Sequence, residues 1–244
     1  MHEIVKQTTD DINPGDSLVY AAGLIDSSLP PELLGVANFS LPLELAFSAQ
    51  NRGGSFMAFG TVLERIPGIS NPYVSSKRLL SEALRSNELP NCRSLQLNTL
   101  YGGSFPHRTM FLGQIIQAIS RGEQFPMSAG LQLREYQHVS DVASKIAEII
   151  MEGDGVSQLA PGAMLSNSRW VSLLEIATHV FGTLGVLNLL DVDLSNLPTP
   201  EIYKPEIELL RRDAIPFESR DPLEGIMEYV TLCLSHSGFD EFSN

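Results

Sequence analysis

Four short apolar runs constrain this chain most: SLVYAAG (17–23), GSFMAFG (54–60), CRSLQLNTLYGG (92–103) and GVSQLAPG (155–162). They read as strands. Between and after them lie segments with helical spacing: PPELLGVANFSLPLELAFSAQ (30–50), NPYVSSKRLLSEALRS (71–86), RTMFLGQIIQAISRG (108–122), the later part of REYQHVSDVASKIAEIIMEG (134–153), and SLLEIATHVFGTLG (172–185). Strands that alternate with helices need crossover connections, which give a parallel sheet with helices on both faces. Continuous apolar runs, rather than alternating ones, fit strands covered on both sides. Pro42 is expected to disturb its helix, and Gly122 to stop another. Ser140 or Asp141 is expected to cap the helix after REYQHV. The prediction is an α/β, Rossmann-like parallel sheet over residues 1–160, with a small C-terminal cap over 161–244.

Composition narrows the partners. Of 244 residues, 43% are hydrophobic and 18% charged, enough for a packed core. Net charge is −13, which repels nucleic acid and anionic membrane. No apolar run approaches the roughly 20 residues of a membrane span. The polar, acidic start MHEIVKQTTDDINPGD is unlike a signal peptide. Two cysteines, with no CxxC and no histidine cluster, predict a reducing cytoplasm and no metal site.

Tyr73 and Lys77 stand four apart at the start of a helix and so share a face. An ammonium beside a phenol is expected to lower the phenol's pKa and make it a usable acid/base. The pair alone is common, so its neighbours matter. LVYAAGLID (18–26), VANF with Asn38, PYVSSK (72–77), LNTLYGG (97–103), LREYQHVSDVA (133–143) and FESRDPLEGIMEYV (217–230) follow one another in this order. Together they resemble the extended short-chain dehydrogenase/reductase superfamily, and within it the NAD-dependent nucleotide-sugar epimerases and dehydratases. The resemblance implies Tyr73 as acid/base and Lys77 as its partner and the holder of the nicotinamide ribose. It implies Ala21, Ala22 and Gly23 along the cofactor, NAD or NADP. Arg134, with Asn98 and Thr99, falls on the side of a nucleotide-sugar substrate, Arg134 toward a phosphate. His138 and Asp141 would orient their segment and cap its helix.

The departures are as informative. These residues contain no Gly-x-x-Gly-x-x-Gly loop to cradle a pyrophosphate. The family's first two strand–helix units are therefore expected to be missing. Where the family has a catalytic Ser or Thr, FMAFGTVLE offers Ala58 or Phe59. Thr61, twelve residues before Tyr73, fits equally as the hydroxyl donor or as an ordinary turn residue. Gln96 and Thr99 replace a customary Arg and Asn. Arg169 is expected to be a solvated loop residue.

Without a first strand, SLVYAA becomes a sheet edge, and open edges invite pairing. Three outcomes are open: HEIVKQ folds back over it, two copies pair there, or another chain supplies the missing half. The functional expectation is nucleotide-sugar oxidoreductase chemistry in surface-polysaccharide biosynthesis. The alternatives are a non-catalytic binding or assembly protein, and one subunit of a split enzyme.

Overall fold

The computed structural model of the chain describes residues 2–26, 28–69, 71–152, 155–195, 207, 210 and 214–236. In chain order its elements are α1 (His2–Thr9), β1 (Ser17–Tyr20), α2 (Pro31–Gly35), α3 (Leu41–Asn51), β2 (Ser55–Thr61), α4 (Pro72–Ala83) and β3 (Cys92–Leu97). Then come β4 (Thr99–Tyr101), α5 (Phe111–Arg121), β5 (Phe125–Ser128), β6 (Leu133–His138), α6 (Val139–Met151) and α7 (Gly155–Gln158). The described chain closes with β7 (Met164–Ser166), β8 (Trp170–Ser172), α8 (Leu173–Thr183), β9 (Leu190–Asp193), β10 (Ala214–Pro216) and α9 (Pro222–Ser235).

The main sheet has the order β1-β2-β3-β7-β10. β1 with β2, β2 with β3, and β3 with β7 are parallel, as the strand–helix alternation predicts. The chain divides into two compact units, and it passes between them several times rather than once near residue 160. The first comprises residues 1–97, 145–165 and 212–215; the second holds the rest.

In the first unit, Leu45, Ala46 and Ala49 of α3 pack with Phe56 and Ala58 of β2 and Leu80 of α4. Phe56 and Leu80 are essentially sealed from water. Each such large side chain contributes about 1.5–3 kcal/mol of transfer free energy. Pro42 acts on its helix as expected, by a specific route. It has no N–H for the carbonyl four residues back, so the chain widens into a π turn over Val36–Ser40, and Leu41 N–H bonds Val36 O instead.

β1 is a sheet edge, and its four residues are half-buried. HEIVKQ does not pair with it. α1 is helical and lies against α3, with Thr9 Oγ1 and Ser48 Oγ 2.7 Å apart and Arg52 paired to Asp10 at 2.6 Å. Its apolar Val5 joins the α3 side of the core, an attraction that edge pairing would forfeit. Among the described residues, nothing pairs with the outer side of β1.

GVSQLAPG is not the fourth strand. Gly155–Gln158 forms a helical turn instead. The Arg93 guanidinium takes the carbonyls of Ser157 (2.9 Å) and Leu159 (2.8 Å), so they cannot serve a strand ladder. The strand comes later, at the fully buried Met164–Ser166. CRSLQLNTLYGG also divides. β3 stays in the main sheet, while β4 pairs parallel with β6 in a second sheet of order β4-β6-β8.

In the second unit, α5, α8 and α9 cover an aromatic core of Tyr101, Phe125, Tyr136 and Phe181. Phe125 stacks on Phe181 at 5.6 Å. Gly122 ends α5 in the left-handed conformation (φ 64°), which a side chain would resist. β9 pairs parallel with β5. α6 begins at Val139, ahead of both expected caps. His138 Nδ1 accepts the Ser140 N–H at 3.2 Å, so the histidine does the capping.

Candidate functional site

Tyr73, Lys77 and Thr61 come together in the first unit. Asn71 caps α4, accepting the Val74 N–H at 2.8 Å, and Pro72 opens its first turn. That start places Tyr73 and Lys77 on the face turned to the C-terminal end of β2. The Thr61 hydroxyl, at the last position of β2, hydrogen-bonds the Tyr73 phenol. Thr61 also caps the 3₁₀ turn Val62–Arg65, where its Oγ1 accepts the Leu63 N–H at 3.3 Å. Both open readings of Thr61 therefore describe the same side chain.

Lys77 is 7% exposed, and its ammonium donates to Phe59 O at 2.9 Å. Phe59 thus contributes its carbonyl rather than a hydroxyl. Ala58 is buried in the core.

Electrostatics overturn one expectation. The Tyr73 phenol lies above its ordinary value, not below it. Burial is the main cause, the Glu64 carboxylate adds to it, and the Thr61 hydrogen bond works against it. Lys77 spends its charge on the Phe59 carbonyl and on Glu64 rather than on the phenol. Its own pKa is lowered by burial, with Glu64 opposing.

The segment after β1 reaches this cluster. Ala21, Ala22 and Gly23 are exposed beyond the strand end. A Cβ on Gly23 would stand 2.9 Å from Asn38 Oδ1 and 3.1 Å from Lys77 Nζ, so only glycine fits without displacing them. Asn38, fully buried in the π turn, accepts the Leu24 N–H at 2.9 Å and donates to Leu24 O at 2.8 Å. Its amide also donates to Ser76 Oγ at 3.1 Å, and Ser76 donates to Tyr73 O at 2.8 Å. The loop past β1 and the helix of Tyr73 and Lys77 are thereby bolted together. Exposed backbone at a strand end beside a buried ammonium suits the sugar half of a dinucleotide.

The expected substrate residues lie in the second unit. Asn98 sits between β3 and β4 and is 8% exposed; Thr99 starts β4. Arg134, on β6, donates to Leu133 O at 3.0 Å. Arg169 is not simply solvated, because it pairs with Asp221 at 3.3 Å. Asp141 does not cap α6. It takes Arg220 through both oxygens, at 2.7 and 3.0 Å.

Sequence reasoning missed Glu64 and the role of Asn38. Thr61-x-x-Glu64 carries the Ser/Thr-x-x-Glu signature of a capping box, so the first was detectable. The π turn that aims Asn38 leaves no such signature.

No family model matches the chain, and no curated protein matches it in sequence. Solved structures do match it in fold. A double mutant of DesIV, the dTDP-glucose 4,6-dehydratase of Streptomyces venezuelae, solved with NAD bound, gives a TM-score of 0.70 at 16% identity. That match covers 96% of this chain and 78% of DesIV. TunA, an NAD-dependent NDP-hexosamine 5,6-dehydratase of tunicamycin biosynthesis, gives 0.72 at 14% identity, covering 95% and 80%. The UDP-N-acetylglucosamine 4-epimerase of Methanobrevibacter ruminantium M1, in complex with UDP-N-acetylmuramic acid, gives 0.67 at 15%, covering 90% and 77%. The fold is that of the extended short-chain dehydrogenase/reductases. Within this fold, Thr61, Tyr73 and Lys77 stand at the C-terminal ends of parallel strands, where open α/β sheets bind ligands. Among the described residues, no helix is long and apolar enough to cross a membrane.

Proposed function

We propose that the chain is an NAD(P)-dependent oxidoreductase of nucleotide sugars, an epimerase, dehydratase or reductase serving surface-polysaccharide synthesis. The observation that carries this is the joined set of Thr61, Tyr73 and Lys77, tied to the exposed Ala21–Gly23 backbone through Asn38. Tyr73 would exchange a proton with a substrate hydroxyl or carbonyl oxygen, steadied by the Thr61 hydroxyl. Lys77 would hold the nicotinamide ribose, having one protein hydrogen bond and further N–H groups to give. A bound nicotinamide would supply or accept the hydride. Arg134, Asn98 and Thr99 would meet the nucleotide sugar.

The unpaired outer side of β1 supports assembly with a second copy or a partner chain at that edge. A second reading, a binding protein without redox chemistry, is favoured by one observation: Lys77 does not lower the Tyr73 phenol.

Calorimetry with NAD(H) and NADP(H) separates the two. The expected result is a Kd below about 100 μM, or about 5.5 kcal/mol, weakened at least tenfold in Lys77→Ala. No heat at millimolar cofactor would remove the stand-alone oxidoreductase and leave the binding protein or the split enzyme.

A further inference from the structure

Glu64 touches every part of the Tyr73 site, yet the reaction above gives it no role. It occupies the 3₁₀ turn that leaves β2, and both of its oxygens are fixed. Oε1 accepts the Thr61 N–H at 2.7 Å, and Oε2 accepts Gln96 Nε2 at 3.3 Å. Gln96 is itself 1% exposed and receives Arg65 Nε. Gly60 leaves the space the carboxylate uses, since a Cβ there would stand 2.5 Å from Glu64 Oε1. The carboxylate is therefore held in one place, one hydrogen bond from Thr61 and two from the Tyr73 phenol.

The other charges nearby are directed elsewhere. The charged side chains on α4 and on the turn Val62–Arg65 are Lys77, Arg78, Glu82, Glu64 and Arg65; β2 carries none. Arg65 turns to Gln96 and to Gly162 O at 2.6 Å. Arg78 donates to the backbone carbonyls of Glu64 (3.2 Å) and Ile69 (3.3 Å). Glu82 is exposed. Lys77 donates to Phe59 O, and Glu64 favours its charged form. What acts on the phenol is the fixed negative charge, which opposes a second negative charge beside it.

We infer that Glu64 is the positioning residue of this site: it clamps the Thr61 turn and places a fixed carboxylate beside Tyr73, keeping the phenol neutral and ready to donate. The consequence rests on the oxidoreductase reading. A neutral phenol fits reduction of a carbonyl, in which the carbonyl oxygen takes the Tyr73 proton while its carbon gains a hydride from reduced nicotinamide. The products are an alcohol, the oxidised nicotinamide and a phenolate that regains its proton from water. The substrate class is accordingly a keto-sugar nucleotide.

The test does not depend on turnover. Protein carrying ¹³Cζ-tyrosine is titrated by NMR, with the Tyr73 signal assigned by its loss in Tyr73→Phe. Glu64→Gln keeps an oxygen for the Thr61 N–H and removes only the charge. Its Tyr73 midpoint should fall by about one pH unit, the lower end of what a neighbouring charge does. An unchanged midpoint in folded Glu64→Gln overturns the inference. If that variant does not fold, Glu64→Asp, which withdraws the same charge by one methylene, should lower the midpoint by a smaller step, and no step overturns the inference equally. A lowered midpoint without any NAD(P)H binding keeps the role of Glu64 and sinks the oxidoreductase reading. Retained binding with an unmoved midpoint sinks the role of Glu64 alone.

Discussion

The two units each bury a charged side chain, and they treat it differently. In the first unit, the Lys77 ammonium has one hydrogen bond, to Phe59 O. In the second, Glu135 is 1% exposed and saturated. Ser166 Oγ donates to it at 2.6 Å, Asn167 N at 2.6 Å and Gln137 Nε2 at 2.7 Å, and the Ser168 N–H also bonds it. To bring that N–H in, Ser168 adopts left-handed backbone (φ 61°), at a cost of about 1–2 kcal/mol. A buried charge with every lone pair filled holds a fold together. One that keeps N–H groups in hand costs stability and leaves capacity for a ligand.

The largest expected effect comes from breaking the saturated group. Glu135→Ala strands at least three buried donors, each worth about 1–3 kcal/mol when unsatisfied. Urea unfolding should show a loss of about 3 kcal/mol or more. Lys77→Met should stay within about 1 kcal/mol of wild type, because it removes a buried charge while keeping the stem's packing. It should nonetheless abolish cofactor binding. A Lys77→Met loss as large as that of Glu135→Ala would erase the contrast.

The pH dependence sharpens the same comparison. The carboxyl of Glu135 is raised from 4.5, chiefly by burial, so the folded state holds its proton more tightly than the unfolded chain. Stability should fall as pH rises from 4.5 through the raised folded value. Lys77 is lowered from 10.5, also by burial, so the folded state releases its proton first. Stability should rise as pH climbs through the lowered value toward 10.5. Denaturation midpoints between pH 4 and 10.5 should lose the first slope in Glu135→Gln and the second in Lys77→Met.

The smallest effect belongs to the surface bolt in the second unit. The Arg220 guanidinium holds Asp141 below its ordinary value, an interaction present above pH 3.8 and lost as pH falls through the lowered value. The Arg220 side chain is 38% exposed, so solvent screens the pair. Asp141→Asn should cost about 0.5 kcal/mol at neutral pH and nothing in acid, where wild-type and variant melting curves should converge.

These contrasts show what could be read in advance. The alternation of apolar runs and helical spacing determined the parallel order of β1, β2, β3 and β7. Tyr73 and Lys77 share a face because four residues make about one helical turn, a local rule that needs no tertiary contact. Gly122 stops α5 for an equally local reason. GVSQLAPG failed because its carbonyls belong to Arg93, more than sixty residues earlier, and no local pattern reports such a distant donor. The destination of HEIVKQ was decided in the same way, by the apolar side of α3.

The same division holds at the site. The sequence by itself determined that a tyrosine, a lysine and a threonine would stand near one strand end. Only the tertiary structure decided what charge they carry. Burial and the fixed Glu64 carboxylate raise the phenol, and the Phe59 carbonyl occupies the lysine, reversing what the pair alone implies. Protonation depends on the whole field around a group, and that field forms only when distant segments fold against one another.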